Sequence, residues 1–343
     1  MQSRDASDAI RDKVLALGFS KVGVAACQPA KDDAGHLHEW LDRGFHASME
    51  WMARTSEKRA DPEHVLPGAR SVVCVAMNYY SSSEHSDDPS RGRISRYAWG
   101  DDYHRILGDK LRILAEWMTE QFPGSKNLWY VDTGPVMEKA WAERAGIGWI
   151  GKHTNVITQD LGSWIFLGEV LTTLSLDPDT PATDHCGSCT LCLDACPTGA
   201  IVEPYVVDAG RCISYLTIEH RGDLPEETKG SLEHWIYGCD ICQDVCPWNE
   251  KFSTPVTEHA FGSRPGFVDP SLEAWRRMSS EEFAETFRGS PIRRTMHAGL
   301  MRNIDAVLES NREENVTKRP DSSIHASHTT EVHLNVGVHH GKQ

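Results

Sequence analysis

The chain has 343 residues, room for two or three domains and a sizeable core. With 35 Lys and Arg against 50 Asp and Glu, its net charge is −15, which excludes tight non-specific binding to nucleic acid or anionic membrane but permits a local basic patch. No apolar run is long enough to span a bilayer and MQSRDASDAIRDKV has no apolar signal core, so a cytoplasmic protein without membrane contact is expected.

In chain order, Ile10, Val14 and Leu17 share one helical face, and Gly18 is a helix stop. Lys21–Ala26 reads as a strand, His36–Asp42 as a short helix, and Ser71–Tyr79 as a central strand. Residues 81–92 are a polar loop. Asp102–Phe122 is the best helix, with Ile106, Leu107, Leu111, Leu114, Trp117 and Met118 on one stripe. Leu128–Val131 is a short strand, Pro135 suits the first turn of a helix ended by Gly146, and Ser163–Thr173 is a further strand. A Pro/Asp-rich linker at 177–185 leads to a cysteine-rich module, and a short helical region starts near 253. Residues 311–343, rich in Ser, Thr and His, read as a disordered tail.

Eight of the ten cysteines lie between 186 and 246. Without a secretion signal this points to metal or redox chemistry instead of disulfides. Cys186, Cys189, Cys192 and Cys196-Pro197 follow the C-x2-C-x2-C-x3-C-P pattern of bacterial ferredoxins. Cys239, Cys242 and Cys246-Pro247 repeat it without the first cysteine, since position 236 is Ile, and Cys212 is the nearby spare. By the ferredoxin exchange rule, cluster one takes Cys186, Cys189, Cys192 and Cys246. Cluster two takes Cys196, Cys212, Cys239 and Cys242. Zinc sites usually use separated C-x2-C or C/H pairs, so two [4Fe–4S] clusters fit better. Cys27 and Cys74 read as ordinary packing residues.

A two-cluster ferredoxin needs only a small domain, so the long N-terminal region should hold a second cofactor or a substrate. It has no G-x-G-x-x-G and no Walker A loop. Asp102-x-His104 resembles the start of the D-x-H-x-x-G cobalamin motif, but Gly108 comes one residue late in a helical stretch, so His104 reads as a structural helix residue. A plain electron carrier is the non-enzymatic alternative, but its long N-terminal region would then lack a purpose.

Taken together, Glu57-Lys58-Arg59, Arg96-Tyr97-Ala98-x-Gly100-x-Asp102-Tyr103-His104, Val131-Asp132-Thr133-Gly134-Pro135 and Ala142-Glu143-Arg144-Ala145-Gly146-Ile147-Gly148 form an ordered series. It continues through Asp194-Ala195-Cys196-Pro197-Thr198-Gly199-Ala200, Arg211-Cys212-Ile213-Ser214-Tyr215-Leu216-Thr217 and Tyr237-Gly238-Cys239-Asp240. In this series the chain resembles the epoxyqueuosine reductases, over roughly 5–305. The resemblance implies an α+β protein: an N-terminal α/β cobalamin-binding domain (1–176), a ferredoxin-like domain with two [4Fe–4S] clusters (177–252) and a short helical region (253–310). The HEAT-like repeats of some members are not expected here, and a cobalamin-dependent reductive dehalogenase is the runner-up enzyme.

The resemblance further implies base-off cobalamin, a tRNA with a queuosine-type anticodon as substrate, a single-electron donor such as flavodoxin or ferredoxin, and a monomer. Asp132 is implied as proton donor, a carboxyl whose pKa burial near the corrin would raise. An N-cap of the following helix is the alternative for Asp132. Implied corrin contacts are Arg59, Ser95, Asp132, Val156, Leu167, Tyr215, Asp240 and Ile241. Implied tRNA contacts are His220, Arg221 and Gly222. Arg293 and Arg294 lie in the acid-free run from Thr286 to Arg302, which also holds Arg288, and are expected to bind phosphate.

Overall fold

The computed structural model describes residues 3–317. Its N-terminal part is a layered sandwich built on one four-stranded sheet. Helix α1 (Ser3–Ala16) leads into β1 (Lys21–Ala26), and α2 (Lys31–Asp42) follows. Then come β2 (Ser71–Asn78), α3 (Tyr103–Gln121), β3 (Asn127–Tyr130), α4 (Glu138–Arg144) and β4 (Ile165–Thr172). The spatial order is β1-β2-β4-β3, and every neighbouring pair is antiparallel. The expected α/β unit is therefore not a parallel wound sheet.

Strand β2 is buried along its whole length, as its unbroken run of Val, Cys, Ala and Met requires. Its side chains alternate between faces. Val73, Val75 and Met77 pack with Ile10 and Val14 of α1 and with Leu107, Leu111, Leu114 and Met118 of α3. Val72, Cys74 and Ala76 pack on the other face with Trp141, Ala142 and Ala145. Each fully buried Leu of α3 contributes about 1.5–3 kcal/mol. Gly23 lets α4 close on β1, because a Cβ there would lie 2.0 Å from the Ala145 carbonyl oxygen.

Several expected bounds move. Helix α2 starts at Lys31, earlier than expected. Pro135 lies ahead of α4, whose N-cap is Met137, so it is not a first-turn proline. Helix α5 (Met296–Thr317) runs through the start of the expected tail, where Asn311 Nδ2 donates to the Pro89 carbonyl at 2.8 Å. The remainder of that expected tail, 318–343, lies outside the described residues.

The cores do not divide at 176 and 252. Ile94, Ala98 and Trp99 pack in one core with Ile213, Leu216, Trp235 and Tyr237, and with Leu300 and Ile304 of α5. The short strand Arg93–Ile94 pairs in parallel with Trp235–Tyr237. An N-terminal segment is thus built into the cluster-bearing body.

Candidate active site and iron–sulfur centres

The first cysteine motif wraps a short helical turn, Leu191–Asp194. Cys246 caps the helix Pro247–Phe252, where Pro247 at the first position costs no hydrogen bond. Together Cys186, Cys189, Cys192 and Cys246 line one cavity of about 250 Å³, with Lys152, His153, His185, Leu191 and Trp248 around them. Lys152 Nζ donates to the carbonyls of Gly187 at 2.7 Å and Cys189 at 2.8 Å, so the N-terminal region braces the loop. His153, pushed down to about 4 by burial and by Lys139, adds no charge.

The other quartet also comes together. Cys212 caps the helix Ile213–Ile218 and is raised by burial and by Cys196. Burial raises Cys239, aided by Cys242 and Cys212. Burial raises Cys242 likewise, aided by Cys212, Asp240, Cys192 and Cys196. Buried thiols that raise one another need a cationic centre to become thiolates. Among the described residues no trio of His, Cys, Asp or Glu converges on a single-ion site. Cys74 is buried in β2, and Cys27 is pushed up to about 11 by burial and nearby acids, so both remain inert thiols.

Asp132 stands in the loop between β3 and α4. Its φ of 59° is left-handed, a conformation that aspartate tolerates better than most residues. Gly134 allows the tight turn, since a Cβ there would lie 2.4 Å from the Tyr130 ring. Asp132 is not the helix cap; that position is Met137, without a side-chain bond. The Asp132 carboxylate faces the N-terminus of α3 instead. Tyr103 Oη donates to Oδ2 at 2.9 Å, and His104 Nε2 lies 3.3 Å from the same oxygen. His104 Nδ1 lies 2.8 Å from Asp102 Oδ1, and Asp102 also caps α3 by accepting from the His104 backbone N–H. The Tyr103 ring stacks on Phe166, with centroids 4.3 Å apart.

These bonds reverse the expected electrostatics. Burial alone would raise Asp132, but His104, Tyr103 and Lys139 hold it below the usual carboxylate range. Burial alone would lower His104, but Asp102 and Asp132 raise it to about 9. The raised carboxyls are others. Glu138 is pushed up to about 7 by burial and by Asp132. Glu169, on β4, is raised well above its ordinary value by burial, Glu138 and Asp132, and its Oε1 has no hydrogen-bond partner. Sequence reasoning missed Tyr103, Glu138 and Glu169. It also read His104 as merely structural; the signal was the Asp102 cap, which aims the first turn of α3 at Asp132.

The other expected cofactor contacts fall into two groups. Arg59 Nε donates to Thr55 Oγ1 and Nη1 to the Val136 carbonyl, each at 3.0 Å, which braces the Asp132 loop. Val156 and Leu167 pack in the core that Val136 and Tyr130 also join. Ser95, Tyr215, Asp240 and Ile241 lie at the cluster-bearing body. Ser95 Oγ donates to Asp240 at 2.5 Å, and Arg96 N donates to the same carboxylate at 2.7 Å. Asp240 is fully buried, so these two side chains are spent on each other. Tyr215 Oη bonds Ser48 Oγ at 2.6 Å, and Ile241 opens the helix Ile241–Asp244 beside the cluster-two cysteines.

The expected RNA contacts gather at one exposed corner. His220 Nε2 meets the Asp223 carbonyl at 2.7 Å, Arg221 Nη2 donates to the Arg294 carbonyl at 2.9 Å, and the Gly222 carbonyl accepts from Arg302 at 2.9 Å. The acid-free run in sequence is not acid-free in space. Arg294 is held by both oxygens of Glu219 at 2.8 Å and lies over the Trp51 ring, and Arg288 pairs with Glu285. Arg293 is exposed.

Two cysteine groups of ferredoxin spacing, in one chain with the hydrogen-bonded cluster of Asp132, Tyr103 and His104, are the marks of an iron–sulfur oxidoreductase. The comparisons narrow the class. Residues 185–249 match the 4Fe-4S double cluster binding domain, and residues 59–133 match the family Epoxyqueuosine reductase QueG, DUF1730. The epoxyqueuosine reductase of Synechocystis sp. is 47% identical over 291 residues, 84% of this chain and 100% of that one. The one from Xanthomonas campestris pv. campestris is 42% identical over 312 residues, 89% of this chain and 86% of that one. A crystal structure of epoxyqueuosine reductase with an epoxyqueuosine-modified tRNA stem loop superposes with a TM-score of 0.84 at 30% identity, covering 92% of this chain and 84% of that one. The chain belongs to the epoxyqueuosine reductase family.

Proposed function

We propose that this protein reduces epoxyqueuosine to queuosine in a tRNA anticodon loop, with electrons from a one-electron donor such as flavodoxin or ferredoxin entering through two [4Fe–4S] clusters. The observation that carries the reading is the hydrogen-bonded group of Asp132, Tyr103 and His104 in a chain that also carries the 4Fe-4S double cluster binding domain. The overall change takes the epoxide, two electrons and two protons to an alkene and water. Asp132 presents a carboxyl oxygen to the departing oxygen and is the group that hands it protons. The protein acts as a cytoplasmic monomer. Among the described residues no helix is long and apolar enough to cross a membrane.

Cobalamin fits the residues present. A corrin needs an apolar floor rimmed by groups that bond its amides; partly buried Leu167, in the same core as Val156, would offer the first, and Arg59, Lys139 and Asn155, now bonded within the protein, would offer the second. When bound, it supplies a low-potential metal centre that can deliver electrons to an epoxide carbon. Asp132 would lie at its face, and the backbone around Tyr215 and Ile241 would bridge towards cluster two. The test is direct. Reduced, cofactor-loaded protein and epoxyqueuosine-containing tRNA should yield a nucleoside lacking one oxygen by mass spectrometry. No such product with full cofactor loading overturns the reading.

The RNA side has its own expected result. Arg293→Ala should weaken tRNA binding and flatten its salt dependence by up to about 0.7–0.9 in log–log slope, one phosphate contact. Arg294→Ala should flatten it less, because Glu219 already compensates that charge. His220→Ala should alter positioning of the loop with little change in slope. A salt series of tRNA affinities for the variants decides; unchanged slopes and affinities place the phosphates elsewhere.

A further inference from the structure

Deoxygenating an epoxide consumes two protons on one oxygen: one when the ring C–O bond opens to an alkoxide, one when the resulting hydroxyl leaves as water. Asp132 can hold only one proton at a time, and in this structure its carboxylate is held ionised by its neighbours. It must therefore be loaded from somewhere, once for each proton.

The geometry points to His104 as the positioning residue that loads Asp132, with Asp102 fixing the ring, so that a relay Asp102–His104–Asp132 delivers both protons to the substrate oxygen. This rests on the proposed role of Asp132. The contacts are sequential. Asp102 Oδ1 lies 2.8 Å from Nδ1, and Nε2 lies 3.3 Å from Asp132 Oδ2. The bond at Nδ1 leaves the Nε2 proton as the one facing Asp132. Asp102 cannot drift, because it also caps α3 through the His104 backbone N–H at 3.0 Å. The ring stacks on Tyr103, with centroids 4.1 Å apart. The His104 side chain is 36% exposed, so solvent can refill it after each transfer. Proton balance closes: each proton leaves Nε2 for Oδ2 and then the substrate oxygen, and the ring returns to the imidazolium from water. The two electrons arrive from the one-electron donor through the clusters.

The groups that face the pair are Asp102 and Tyr103 at the start of α3, Glu138 and Lys139 from α4, Glu169 on β4, and Arg59. The charge of Arg294 also reaches Asp132. Asp102 and Asp132, one at each ring nitrogen, are the groups that hold a proton on His104 up to about pH 9. Because that folded value is raised, the loaded state is full at neutral pH and is lost as pH rises through it.

The test uses the full, cofactor-loaded chain in single-turnover reactions across pH, with electrons supplied beforehand. The wild-type rate should fall through an alkaline limb near about 9. His104→Gln should lose that limb, keep activity only towards acid, where Asp132 holds its own proton, and drop roughly 10- to 100-fold at neutral pH, at or below the low end of acid–base effects. Asp102→Asn keeps the ring in place but removes the charge, so its limb should move down in pH without vanishing. A second readout needs no turnover: histidine C2 hydrogen–deuterium exchange, followed by mass spectrometry, should give His104 a midpoint near about 9 that falls in Asp102→Asn. An unmoved limb in His104→Gln, an ordinary histidine midpoint, or a limb that follows Glu138→Gln instead overturns the relay. A fully active Asp132→Asn would instead bring down the reading beneath it; an inactive Asp132→Asn beside an unmoved His104→Gln limb brings down the relay alone.

Discussion

Asp132→Asn should lower turnover by roughly 100- to 10,000-fold while the iron–sulfur absorption and the fold persist. The substitution is the cleanest available probe because asparagine shares the tolerance for the left-handed backbone that Asp132 adopts at a φ of 59°. It can still accept the Tyr103 hydrogen bond, but it cannot pass on a proton. Alanine would confuse the result by adding backbone strain to the chemical loss. Nothing at the start of α4 should loosen, since Met137 is the cap. Turnover within a few-fold of wild type, measured with equal cofactor loading, would remove Asp132 from the chemistry.

Cys212→Ala should remove about half of the roughly eight iron atoms that two [4Fe–4S] clusters imply. Turnover should fall to background, because under the proposed function electrons pass through the cluster that Cys196, Cys212, Cys239 and Cys242 would hold. Cys212 stands at the N-cap position of the helix Ile213–Ile218, and its thiol is close enough to Cys196, Cys239 and Cys242 for their charges to act on one another. Cluster one, lined by Cys186, Cys189, Cys192 and Cys246, should survive. Iron and sulfide analysis of anaerobically prepared variant decides this; full iron content would assign the fourth ligand to another residue.

The two-cluster domain was legible in sequence because cysteine spacing is itself geometry: three thiolates on one tight loop suit one cluster. The sheet strands were legible too, since an unbroken apolar run such as Ser71–Asn78 has few other fates. The protonation states were not. Sequence places Asp132 beside Thr133, Gly134 and Pro135, where a raised pKa and a cap are both reasonable. Only the fold carries the N-terminus of α3 across to it and supplies the Tyr103 and His104 bonds that pull it down. The same limit applied to the basic run. Its lack of acids is a fact of chain order, whereas Glu219 reaches Arg294 from 75 positions away. Glu169 was illegible for a further reason: in the run Ile165–Thr172 it is one polar residue on a strand, and its unpartnered, buried oxygen exists only once β2 and β3 flank it.

The strand Arg93–Ile94, paired with Trp235–Tyr237, makes the two halves of this enzyme inseparable. A ferredoxin can usually be inherited, cut out or swapped as a cassette. Here the cassette would leave behind Ile94, Ala98 and Trp99, which fill its centre, and would strand Asp240 without Ser95 and Arg96, the groups that make a fully buried carboxylate tolerable. The electron-carrying half can therefore mature only after the first hundred residues have been made and are at hand. Any event that loosens the buried segment around Arg96 is felt at Asp240, next to Cys239, so damage to the N-terminal half and disturbance of the cysteine framework become a single failure.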